Sequence, residues 1–127
     1  MFNLIRPDVG EEELQAVKRV FDSKFIAQGP VVKKFESLFS KFVRCKYATA
    51  TSSCTAALQL AISSFSFPKG SEIIVPAFTF PATSNAVLNS GCRPVFVDII
   101  LETFNIDPSK IEEVINSKTK AIIPVHL

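Results

Sequence analysis

No apolar run in this 127-residue sequence approaches the roughly 18 residues that a membrane-spanning helix needs, although mean hydropathy is +0.29. The first residues, MFNLIRPDVGEEE, lack a basic stretch followed by an apolar one, so no secretory leader is expected. A cysteine framework is missing too. Cys45, Cys54 and Cys92 are odd in number and irregular in spacing, which fits free thiols in a reducing cytoplasm. Charge is nearly balanced, with 14 Lys and Arg against 12 Asp and Glu, and the basic residues are scattered, so no nucleic-acid partner is expected. Only four glycines are present, and neither a Walker loop nor a GxGxxG occurs. Ordinary nucleoside triphosphate or dinucleotide binding is therefore not indicated. Repeats, low-complexity tracts and linkers are likewise absent, and no metal site is expected.

What is present reads as one globular α/β chain, 47% hydrophobic and 20% charged. Asp8 is placed to cap a first helix over about 10–23, with acids in its first turn and Leu14, Val17, Val20 and Phe21 at helical spacing. Gln28-Gly29-Pro30 breaks the chain, and Pro30 suits the first turn of a second helix over about 31–43. There Val32, Phe35, Phe39 and Phe42 share a face and are expected to pack in a core.

From Tyr47 the pattern alternates. Strands are expected at Tyr47–Ala50, Glu72–Val75, Val95–Ile99 and Ala121–Val125. Helices are expected over Thr55–Phe65, over Pro81–Asn89 before Gly91, and over Pro108–Asn116 behind an Asp107 cap. Near-continuous apolar strands alternating with helices imply a mostly parallel sheet flanked by helices. The ending AIIPVHL is apolar where domains usually finish in polar residues, so a chain interrupted inside its fold is expected.

In such sheets ligands bind beyond the carboxyl ends of the strands. Four segments fall there: Thr51–Thr55, Ala77–Phe80, Asp98 and His126. Thr51-Ser52-Ser53-Cys54-Thr55 sets four hydroxyls and a thiol at a helix start, where unsatisfied N–H groups favour an anion. Two readings stand for it, a phosphate cup or a plain N-cap at Ser52 or Ser53. Phe78 and Phe80 alternate to the same side, as a stacking face for a flat ring or as core. Asp98 is expected to anchor the loop that follows it. His126 is expected to be a hydrogen-bonded core residue. A rival chemistry starts from Cys54, since a thiol at a helix N-terminus should have a lowered pKa. Thr51-Ser52-Ser53-Cys54 matches the short Thr-x-x-Cys string of peroxiredoxins, but Tyr47 stands where they carry Pro. Leu60 stands where a phosphatase would carry Arg.

The stretches IAQGPVVKKFE (26–36), TSSCTAALQLAI (51–62), GSEIIVPAFTFPATSNAV (70–87), PVFVDI (94–99), TFNIDPSKIE (103–112) and TKAIIPVHL (119–127) carry a resemblance. In order and spacing they resemble the sugar-nucleotide aminotransferases of the DegT/DnrJ/StrS type, pyridoxal-phosphate (PLP) enzymes of fold-type I. The resemblance implies an incomplete fold-type I large domain over 46–127, preceded by an N-terminal helical segment over 1–45. It implies that Cys54 and Thr55 hold the cofactor phosphate, where the family has a Gly/Ala-Thr pair. Ser53 would be a supporting donor, and Phe80 the aromatic that stacks on the pyridine ring. Cys54 departs from the small residue usual there, and Ile100-Leu101 replace a usual Asp-Pro.

The resemblance further implies transamination of a keto-sugar nucleotide for a surface polysaccharide or related product, with glutamate as amino donor. It implies a cytoplasmic homodimer with sites at the subunit interface, which Ile26–Pro30 would help to line. The family's Schiff-base Lys, the Asp paired with the pyridine nitrogen and a neighbouring Gln or His all come later in the chain. No lysine here lies in a matching motif, so no catalytic residue is assigned and the chain alone is expected to be inactive. Three alternatives stay open: a non-catalytic truncated fragment, a thiol enzyme using Cys54, and a related PLP dehydratase with His in place of the catalytic Lys.

Overall fold

The computed structural model describes residues 7–127. Residues 1–6, which begin both the expected helical segment and the stretch read for a leader, lie outside them. Eight elements follow one another: α1 Glu11–Ser23, α2 Pro30–Phe42, α3 Cys54–Ser64, β1 Glu72–Pro76, α4 Ala82–Asn89, β2 Arg93–Val97, α5 Pro108–Val114 and β3 Thr119–Ile122. They fall into two compact units, divided between Ala50 and Thr51.

The first unit holds α1 and α2. The cap of α1 is Gly10, not Asp8. The Gly10 N–H donates to the Glu13 carboxylate at 2.7 Å, and that bond holds the Glu13 pKa below its ordinary value. Helix α2 opens with Pro30, whose missing N–H costs nothing in a first turn. Neither helix buries a residue. Phe35, Phe39 and Phe42, expected in a core, are exposed, with the rings of Phe35 and Phe39 5.8 Å apart. The stripe shows which face favours burial, but among the described residues of this unit only one other short helix is available to cover it. The strand expected at Tyr47–Ala50 is irregular instead: the Ala50 N–H donates to the Glu36 carboxylate at 2.9 Å, not to a neighbouring strand.

The second unit is built on β1. Its five residues, EIIVP, are all buried, because it is the central strand of a three-stranded sheet in the order β2-β1-β3. Both pairings are parallel. Ile73 and Val75 face Ile62 of α3, Ala86 and Val87 of α4, and Cys92; Leu58, Ala121 and Ile123 pack around them. Ile74 faces the other way, with Val97 and Ile106, against Val95 of β2 and Ile111 and Val114 of α5. Alternation along a single strand thus feeds two cores, which is why the run reads as continuously apolar. The Glu72 carboxylate at its start is buried and satisfied, 3.5 Å from the Arg93 guanidinium and accepting from Asn116 Nδ2 at 2.8 Å.

Element ends shift from expectation by one to three residues. β2 runs over Arg93–Val97, not Val95–Ile99, because it pairs with β1 from Glu72↔Arg93 to Pro76↔Val97. β3 starts at Thr119 and ends at Ile122, two residues before the Pro124 that the expected strand contained. Asp107 does cap α5, accepting from the Ser109 N–H at 2.9 Å and the Ser109 hydroxyl at 2.7 Å. The helix stops at Val114, short of Asn116. Among the described residues no helix is long and apolar enough to cross a membrane.

Candidate functional site

Parallel strands point their carboxyl ends the same way, so the loops leaving them gather at one edge of the sheet. Here the start of α3, the 77–81 loop after β1 and the chain after β3 border one cavity of about 750 Å³.

Ser53 is the N-cap of α3 in extended conformation, and its Oγ accepts from the Ala56 N–H at 3.1 Å. The Thr51 hydroxyl donates to the Ser53 carbonyl at 2.9 Å, which fixes the turn. The next two N–H groups, of Cys54 and Thr55, come too early in the helix for an intrahelical acceptor and meet no other acceptor among the described residues. No acidic residue occupies the first turn to satisfy the positive end of the helix. Cys54 and Thr55 both line the cavity, and the Cys54 thiol is exposed. Ser53 lies just outside the lining, engaged as the cap.

Strand β1 ends at Pro76, so Phe78 and Phe80 follow a bend and not a continued strand. Phe78 is tied to Phe104, ring centroids 5.5 Å apart and tilted by 40°. The Phe80 ring is 78% exposed and borders the cavity. Sequence reasoning did not single out Thr79, Thr83 or the 123–125 stretch, which also line it. Thr83 is 5% exposed, and its hydroxyl meets that of Thr79 at 2.9 Å. Its N–H donates to the Phe80 carbonyl at 3.0 Å. The i,i+4 spacing of the two threonines was legible, but their meeting at the cavity depends on the bend before α4.

Two other candidates lie apart from the cavity lining. Asp98 is exposed, accepting its neighbour Ile99's N–H at 2.8 Å, while its carbonyl takes the Asp107 N–H at 3.0 Å. It therefore anchors the base of the 98–107 loop, where Ile99 and Ile106 form an antiparallel bridge. His126 is exposed and not a core residue, because the chain has left the sheet before reaching it. No carboxylate, lysine or histidine lines the cavity. Among the described residues no group of three or more His, Cys, Asp and Glu is placed to hold a metal ion.

The arrangement suits a flat ring bearing a phosphate. Two adjacent first-turn amides and a threonine hydroxyl offer donors at a helix start free of acids, and an exposed aromatic shares the same apolar cavity.

A parallel sheet with a helix N-terminus and an aromatic gathered at its strand ends defines an α/β ligand-binding architecture. The chain belongs to the DegT/DnrJ/EryC1/StrS aminotransferase family, whose pattern matches residues 7–127. It is 43% identical over 120 residues to the spore coat polysaccharide biosynthesis protein SpsC of Bacillus subtilis, a match covering 94% of this chain and 31% of SpsC. Among solved structures it is similar to the aminotransferase of Psychrobacter cryohalolentis, with TM-score 0.89 and 37% identity over 95% of this chain and 31% of that one. It is also similar to the E. coli GDP-4-keto-6-deoxy-D-mannose-3-dehydratase with bound hydrated PLP, with TM-score 0.87 and 35% identity over 98% of this chain and 33% of that one. The chain thus spans about a third of the length of the relatives it matches. The expected α/β fold, with a parallel sheet flanked by helices, is the fold these PLP enzymes share with it.

Proposed function

We propose that this chain contributes the phosphate-holding and ring-holding part of a PLP site in an enzyme that transfers an amino group from glutamate to a keto-sugar nucleotide. The observation that carries the reading is that the adjacent Cys54 and Thr55 line one cavity at the strand ends with Phe80, which is distant from them in sequence. PLP, when bound, supplies an electron sink for the proton shift of transamination. The Cys54 and Thr55 amides and the Thr55 hydroxyl would hold its phosphate, with Ser53 fixing the helix start. Phe80 would cover one face of the ring and keep water from it. In this reading 1–45 is a helical segment, and 46–127 is part of a cofactor domain completed by further chain that supplies the lysine. The full-length enzyme would be a cytoplasmic homodimer. The likeness to the spore coat polysaccharide biosynthesis protein supports a place in synthesis of a surface polysaccharide.

A second reading, dehydration of a keto-sugar nucleotide with the same cofactor, is supported by the likeness to the E. coli dehydratase. Both readings use the same phosphate and ring contacts.

The test is a titration of the 127-residue chain with PLP, followed by absorbance and competed with inorganic phosphate. Phe80→Ala should weaken PLP binding about 2- to 12-fold, the loss of an aromatic stack, and leave inorganic phosphate affinity unchanged. Thr55→Val should weaken both ligands. Equal PLP affinity in the parent chain and Phe80→Ala would overturn the reading.

A further inference from the structure

The strongest unexplained polar feature of the cavity wall is the pair Thr79–Thr83. Thr83 is 5% exposed, yet its hydroxyl is spent on one partner, the Thr79 hydroxyl at 2.9 Å. The same residue's N–H donates to the carbonyl of Phe80 at 3.0 Å. Phe80 is thus bracketed, with the residue before it and its own carbonyl both bound to one buried side of α4. The ring itself has no comparable hold. It is 78% exposed, stacks on no other aromatic among the described residues, and follows a strand that has ended at Pro76. A ring on an unclamped bend shifts with its backbone as well as about χ1, and ordering that backbone at the moment of binding would cost affinity.

We infer that Thr83 is a positioning residue: with Thr79 it clamps the 78–81 bend so that Phe80 is held in place over the cavity before a ring-bearing ligand arrives. The inference rests on the proposed PLP site for its purpose, but the clamp itself is a property of the free chain. The role assigned to Thr83 is exerted through the backbone of Phe80.

The sequence contains no tryptophan, so Phe80→Trp makes a single fluorescent reporter at the ring in question. In that background Thr83→Val, which keeps the side-chain shape and removes the hydroxyl, should lower the anisotropy of the reporter indole and raise its quenching by acrylamide. Thr83→Ser, which keeps the hydroxyl, should restore the values of the Phe80→Trp chain alone. Thr79→Val tests the same bond from the less buried side and should reproduce the Thr83→Val result, which guards against a Thr83 variant that fails to fold. PLP should quench the indole in the reporter chain, and Thr83→Val should weaken that binding about five-fold, as loss of one hydrogen bond's net contribution predicts. A lower melting temperature with unchanged indole anisotropy in both valine variants would mean an ordinary helix-end bond and overturn the clamp. Failure of PLP to quench the indole while the anisotropy change persists would overturn the proposed cofactor reading and leave the clamp standing.

Discussion

At the scale of single residues, the strongest effects come from side chains that bind backbone a few positions away. Asp107 accepts both the hydroxyl and the N–H of Ser109, and these bonds hold its carboxyl below the ordinary range. A carboxylate whose pKa is depressed by folding stabilises the folded chain fully above its unfolded pKa. That contribution disappears as pH falls through the lower folded value. Asp107→Asn keeps an acceptor but cannot titrate, so its melting temperature should fall less steeply than the parent's between about pH 5 and pH 2. Thermal unfolding followed by circular dichroism at several pH values checks this. Caps of this kind were legible because Asp107 and Pro108 act locally, one as acceptor and one through its fixed φ. Asp8 misled because the carboxylate that closes the first turn of α1 reaches back from Glu13 within the helix.

At the scale of elements, the end of α4 shows how one residue sets a boundary. Gly91 has φ +74°, its N–H donates to the Leu88 carbonyl at 3.0 Å, and the Cys92 N–H donates to the Val87 carbonyl at 3.2 Å. This double closure turns the chain into β2 and drops Cys92 onto Val87 in the core. Space for a side chain is available at Gly91, so the obstacle to alanine is the backbone angle alone. Gly91→Ala should destabilise the chain by about 1–2 kcal/mol, read from urea unfolding, without altering PLP affinity. The glycine was a readable stop signal. The ends of β2 and β3 were not, because a strand ends where its neighbour stops pairing, and register is a property of two strands.

At the scale of the whole chain, the two units differ in what they bury. β1 is covered on both faces, whereas neither α1 nor α2 contains a buried residue. Local opening is easiest where few apolar contacts are lost. Hydrogen exchange read by mass spectrometry should therefore show the amides of 11–42 exchanging well before those of 72–76. Equal protection across both segments would contradict that ranking. The phenylalanine stripe of α2 was plain in the sequence, but whether the stripe is covered depends on surface supplied from elsewhere, and periodicity carries no information about its source.

From α3 onward the order of strands and helices, the parallel pairing and the apolar burial of Glu72–Val75 were determined by the sequence, because they follow from residue period and from the length of each connection. The hydroxyl-rich helix start at 51–55 and the aromatic at 80 were also visible, but as separate signals, the first balanced against a plain N-cap and the second read more readily as core. Only the tertiary structure decided that they share a cavity with Thr79, Thr83 and the stretch after β3, and that Asp98 and His126 do not line it. The reason is physical: a site of this kind is made from strand ends, and which ends are neighbours is settled by the β2-β1-β3 order.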